Sequence, residues 1–196
     1  LYETTYKPEY LKKAVKLNED LIKYFWDEEN GGLYVYGSDS EQLLTRPKEA
    51  YDGATPSANS VSAMNFLRLS HLTGNHHLEE LAQKVFELFG SDIERMPTGH
   101  ASFLSAFLFS QSQVRDIVIV DENKSRNAEL MINELRKGFK PFTVSMLYTK
   151  EYRELSDIAP FIETYKPIDG KATAYVCENY SCQPPVTDVE KLKEML

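Results

Sequence analysis

The chain has 196 residues, 42% of them hydrophobic, and carries 22 Lys and Arg against 30 Asp and Glu for a net charge of −8. That length can bury one generous domain or two small ones. An acidic chain without a basic stripe is excluded from binding nucleic acid by phosphate neutralisation. No apolar run approaches the roughly 20 residues of a membrane span, and no charged-then-apolar leader opens the chain, so the expected setting is cytoplasmic with no membrane partner.

Two units are expected. Residues 1–113 hold all four histidines and Trp26, with ten Lys and Arg against sixteen Asp and Glu; residues 114–196 hold both cysteines, with twelve against fourteen. The first residues lack an initiator methionine and run almost at once into a helix, which reads as a chain cut from a longer protein.

In chain order, apolar residues Leu11, Ala14, Val15, Leu21, Ile22 and Phe25 recur at helical spacing behind Pro8 and predict a helix to Trp26. Gly31-Gly32 breaks it. Leu33–Tyr36 and Gln42–Thr45 flank a Gly-Ser-Asp-Ser turn and predict a β-hairpin. A second helix is expected with Thr55 as cap and Pro56 in its first turn, running to Gly74, a third from Asn75 to Gly90, and a fourth from about Thr98 to Ser112.

The period then changes. Arg115–Val120 and Phe142–Leu147 read as buried strands around an amphipathic helix from Ser125 to Lys137, followed by a short helix near 151–162, a strand at Thr173–Cys177 and a final helix from Thr187 with capping-box form. Alternation of this kind implies a small α/β unit. Asp121-Glu122-Asn123-Lys124 stands where a nucleotide-binding chain has a Gly-rich loop, so nucleotide binding is not supported. The fold expected is α+β: helical hairpins with a β-hairpin insert over 1–113, then a βαβ-type unit over 114–196.

The stretch from Arg46 to Ser60 reads as a site because Arg46, Glu49, Asp52, Ser57 and Asn59 crowd within fourteen residues in front of an apolar helix. Together with Phe25-Trp26-Asp27-Glu28-Glu29-Asn30-Gly31-Gly32, Lys166–Lys171 and Tyr175–Thr187, it resembles the YyaL-type family of thioredoxin-domain proteins, which includes the spermatogenesis-associated homologues. The resemblance implies a longer protein: a thioredoxin-like domain, then an α/α toroid similar to six-hairpin glycosidases and sugar epimerases, then this α/β tail. The thioredoxin-like domain and most of the toroid would be the missing partners of this segment.

Glu49 and Asp52 are candidates for an acid/base pair of the kind glycoside chemistry uses, set against the plainer reading that Asp52 satisfies helix-start N–H groups. His100, before an apolar helix, is the candidate proton carrier. Arg46, Tyr51, Ser57, Asn59 and Trp26 are the candidate ligand-binding residues, Trp26 by stacking on a sugar ring. Cys177 and Cys182 form C-x4-C, a candidate redox pair set against two reduced core thiols; one unbroken strand would put them on opposite faces, whereas a turn at Asn179 would bring them together. No metal or other cofactor is expected. The expected function is a carbohydrate-processing or carbohydrate-binding toroid segment, with a small carbohydrate as ligand; the alternative is a non-catalytic scaffold for a thioredoxin-like domain. Open helix flanks also predict self-association.

Overall fold

The computed structural model describes residues 1–41, 43–178 and 181–196. It is α+β, with seven α-helices and four strands among the described residues: α1 Tyr2–Thr5, α2 Pro8–Phe25, α3 Ala58–Thr73, α4 His77–Arg95, α5 Ala101–Gln111, β1 Arg115–Val120, α6 Arg126–Leu135, β2 Thr143–Tyr148, β3 Thr173–Glu178, β4 Ser181–Cys182 and α7 Val189–Glu194. Two compact units divide them. One holds residues 1–12, 72–74 and 113–196; the other holds 13–71 and 75–112.

The sheet unit orders its strands β2-β1-β3-β4. β1 and β2 are parallel, joined through α6, and β3 runs antiparallel to β1. Ile117 and Ile119 of β1, Ala174 and Val176 of β3, Met131 of α6 and Leu192 of α7 share one core. Tyr6, just after α1, joins that core and its hydroxyl meets Ser145 Oγ on β2 at 2.8 Å. The short helix α1 escapes sequence reading because four residues show no period.

In the helical unit, α4 buries Leu78, Leu81, Ala82, Val85, Phe86, Phe89 and Ile93. It runs through Gly90 rather than ending there. The apolar repeat continuing to Ile93 outweighs the roughly 1 kcal/mol a helical glycine costs. Residues 96–114 contain no Lys, Arg, Asp or Glu, and α5 within them is apolar on every side: Phe103, Ala106 and Phe109 are buried, while Leu104, Phe107 and Leu108 lie exposed.

Several expected boundaries move. The cap of α3 is Ser57, not Thr55: Ser57 Oγ accepts from Ser60 N at 3.0 Å, and its carbonyl accepts from Val61 N. The cap of α7 is Asp188, which accepts from Glu190 N and Lys191 N, so the helix starts two residues after Thr187. The segment near 151–162 forms two 3₁₀ helices, Lys150–Asp157 and Pro160–Thr164, rather than one α-helix. The β-hairpin at 33–36 and 42–45 is also corrected. Leu33–Val35 instead pairs with the end of α2 and with residues 47–48, through Tyr34 N to Phe25 O and Val35 N to Pro47 O, both 2.9 Å; Gln42 lies outside the described residues.

Leu192, fully buried on a helix of six residues, ties α7 to the sheet. Leu192→Ala is expected to cost about 2–5 kcal/mol, read as a lower midpoint in urea denaturation with the m-value unchanged.

Candidate functional site

The helical unit builds its site from the reversal after α2. Asp27 accepts from Glu29 N at 2.9 Å and Asn30 N at 3.2 Å, turning the chain. Gly31 and Gly32 both have positive φ, and a Cβ at Gly31 would meet Lys84 of α4 at 2.9 Å, so only glycine fits at that approach. Leu33 then comes back beside Trp26.

Two buried polar groups hold the returning chain. Asn59, 1% exposed on the first turn of α3, accepts from Leu33 N at 2.7 Å through Oδ1 and donates through Nδ2 to Leu33 O at 3.0 Å and Glu49 O at 2.9 Å. Its whole carboxamide thus serves the main chain. Lys48 Nζ donates to Asp27 Oδ2 and to Gly31 O, both at 2.6 Å, and Tyr34 OH donates to the same Asp27 oxygen at 2.7 Å. Burial pushes the Asp27 carboxyl up, but Lys48, Tyr34 and the N–H groups of Asn30 and Glu29 together hold it well below the usual carboxylate range. Arg46 lies 3.9 Å over the Tyr34 ring and donates to Tyr36 O.

The result is a cleft of about 330 Å³. Aromatic rings of Phe25, Tyr34 and Tyr51 line it, together with Glu49, Ser57 and Asn59. Tyr51 is 60% exposed, and its ring lies so close to Gly99 that a Cβ there would stand 2.8 Å from it. Glu49, Tyr51, Ser57 and Asn59 of the expected site are therefore brought together.

Asp52, His100 and Trp26 are not among the lining residues. Asp52 is half-buried, and its carboxylate accepts from Ser57 N and Ser102 N at 2.8 Å and Phe103 N at 3.0 Å. It joins the starts of α3 and α5. Burial raises its pKa, but the Ser57 and Phe103 N–H groups, the Ser60 hydroxyl and the Ser102 N–H outweigh that and leave it lowered. Three backbone N–H groups at the starts of α3 and α5 thus take up both oxygens of the Asp52 carboxylate, the capping arrangement. His100 is buried, with Nδ1 2.8 Å from Met96 O, which makes Nδ1 the protonated nitrogen, and its ring meets Tyr51 edge-on. Trp26 packs edge-on against Phe66 in the core rather than offering a face to a ligand. Among the described residues that line the cleft, Glu49 supplies the only carboxylate.

The Asp27–Lys48 pair was not singled out by sequence. Its signal was the acidic residue followed by Asn30-Gly31-Gly32, an Asx-type reversal, but nothing local couples it to Lys48.

In the sheet unit, Cys177 and Cys182 are directly paired across β3 and β4, with Cα atoms 3.9 Å apart, and form a disulfide. β4 runs antiparallel to β3, so the two cysteines share a face and stand within bridging reach rather than lying apart in the core. The turn expected at Asn179 lies outside the described residues. Tyr165 OH approaches both sulfurs, at 3.8 and 3.9 Å. Among the described residues no group of His, Cys, Asp and Glu could hold a metal ion, and no helix is long and apolar enough to cross a membrane.

Residues 1–114, more than half of the chain, match the family model described as glycosyl hydrolase family 47, and the chain belongs to that family. Over its whole length it is 31% identical to Spermatogenesis-associated protein 20 of Homo sapiens and 30% identical to that of Rattus norvegicus; it is 27% identical to Uncharacterized protein B0495.5 of Caenorhabditis elegans. The resemblance to the spermatogenesis-associated family thus extends over all of the chain. The chain spans about a quarter of the length of these relatives.

Because the pKa of Asp52 is lowered by folding, the stability it lends is complete above its ordinary value of 3.8 and is lost as pH falls through the lower folded value. Asp52→Asn is expected to cost about 2 kcal/mol at pH 7 and to flatten part of the acid-side loss of stability. Urea titrations at pH 7, 5 and 3 check both effects.

Proposed function

We propose that this segment binds carbohydrate in the cleft between Leu33–Val35 and the loop before α3, as part of a larger α/α toroid. The observation that carries the reading is the lining itself: flat rings of Phe25, Tyr34 and Tyr51 beside the Glu49 carboxylate, the mix of apolar faces with a placed polar group that sugar rings require. The match of residues 1–114 to a glycosyl hydrolase family supports it. Two-carboxylate hydrolysis needs a second carboxyl across the cleft, and Asp52 is committed to helix starts. The reading is therefore binding by this segment, with Glu49 orienting hydroxyl groups.

Titration of the chain with a panel of monosaccharides and short oligosaccharides, followed by tyrosine fluorescence and calorimetry, tests it. Saturable binding that Tyr51→Ala weakens about tenfold or more, and Glu49→Gln by several-fold, is expected. Absence of binding to the whole panel, or binding indifferent to both changes, contradicts the reading.

A second reading, that the segment is a non-catalytic scaffold for a thioredoxin-like domain, is favoured by the exposed outer side of α5 at Leu104, Phe107 and Leu108. An uncharged helix apolar on all sides is usually covered. The isolated chain is then expected to self-associate at micromolar concentration and to become monomeric with Phe107→Glu and Leu108→Glu together, as light scattering reads; a monomeric wild type counts against this second reading.

We also propose a cytoplasmic setting, where the glutathione pool keeps thiols reduced. Alkylation in intact cells followed by mass spectrometry is then expected to find Cys177 and Cys182 both modified. A bridged pair in the cell contradicts that setting or requires an oxidant acting on this pair.

A further inference from the structure

A second hollow, of about 170 Å³, lies within the sheet unit beyond the carboxyl ends of β1 and β2. Parallel strands joined by a helical crossover leave a crevice there, and ligands of open α/β sheets bind in it. Val120 and Tyr148 end the two strands, and the chain just after each, Asp121-Glu122 and Thr149-Lys150, forms one wall. Arg153, Tyr165 and Lys166 line the rest.

We propose that this hollow holds the phosphate group of a small phosphate monoester. The charges favour an anion once the internal pairs are set aside. Asp121 is buried, and its carboxylate accepts from Glu122 N at 2.9 Å and from Ser125 N, ordering the loop into α6. Glu122 is paired with Lys150 Nζ at 2.7 Å. Arg153 and Lys166 have no acidic partner among the described residues, so with the Glu122–Lys150 pair set aside two cations stand at the hollow against the single Asp121 carboxylate, whose oxygens are taken up by N–H groups.

The second observation is Thr149. It is 3% exposed, lines the hollow, and its hydroxyl has no hydrogen-bond partner among the described residues. Buried polar atoms are almost always satisfied, and an orphan hydroxyl on a residue lining the same hollow as two cations is where a phosphate oxygen would be received. A guanidinium fork, an ammonium and a hydroxyl suit a tetrahedral dianion. The hollow is smaller than the roughly 300 Å³ at which pockets for drug-sized ligands begin, which favours a small metabolite over a nucleotide. The absence of a Gly-rich loop after β1 agrees, because the anion is held by side chains rather than by a backbone cradle.

The test is titration of the full chain with inorganic phosphate, glucose 6-phosphate and glucose at constant ionic strength, followed by amide chemical shifts. Saturable shifts at Thr149, Lys150 and Tyr165 with both phosphates, and none there with glucose, are expected. Arg153→Gln with Lys166→Gln is expected to weaken binding at least about tenfold, and Thr149→Val several-fold, with the remaining β1 and α6 resonances unmoved as evidence of folding. Shifts that do not saturate by about 20 mM, shifts mapping elsewhere, the same response to glucose, or unchanged affinity in the folded double variant would each overturn the proposal. None of these outcomes bears on the aromatic cleft of the helical unit.

Discussion

The carboxamide of Asn59 is the contact on which the helical unit's site depends. A buried amide is tolerated only when its donors and acceptor are all engaged, and Asn59 engages them with the main chain of Leu33 and Glu49. Leu33 and Glu49 are neighbours across the antiparallel Tyr34–Lys48 pairing, so one side chain on α3 ties both of these segments to the helix. No isosteric replacement repeats this. Aspartate would bring an acceptor where two donors are needed, and leucine would leave the three main-chain groups unpaired.

The Asp27–Lys48 pair is the second element of the same arrangement. Burying an ion pair is favourable only where additional hydrogen bonds compensate for lost solvation, and here Tyr34, two backbone N–H groups and the Gly31 carbonyl do so. The pair fixes Tyr34 by its hydroxyl, and Arg46 covers the same ring. The aromatic wall of the cleft is therefore positioned by charges behind it, while Tyr51 on the other side is positioned by its fit against Gly99. Asp52 holds the starts of α3 and α5 in register.

What was legible in the sequence follows the range of the forces involved. The strands β1, β2 and β3 and the helices α2, α4 and α6 announce themselves because hydrophobic burial repeats along them at a fixed period. The loop from Arg46 to Asn59 was recognisable as a candidate site because residue types that neither propagate a helix nor fill a core cluster there. The partners of those residues were not legible. Asp52 finds Ser102 and Phe103 fifty residues away, Asn59 finds Leu33, and Lys48 finds Asp27, all through tertiary contacts that no local spacing encodes. Trp26 misled for the opposite reason: an aromatic residue at a helix end has the same local pattern whether it faces a ligand or Phe66. The β-hairpin failed because the returning strand found better partners in the end of α2 and in residues 47–48.

The family match and the aromatic cleft converge on the helical unit, and the central claim is that Asn59 holds that cleft in a preformed shape before any ligand arrives. Amide hydrogen exchange at Leu33 measures this most directly. Its N–H is expected to exchange slowly in the free wild-type chain, as a core hydrogen bond does, and at least about a hundredfold faster in Asn59→Ala while the amides of β1 keep their protection. Exchange of the Leu33 N–H at the rate of an open loop in the wild type would contradict the account.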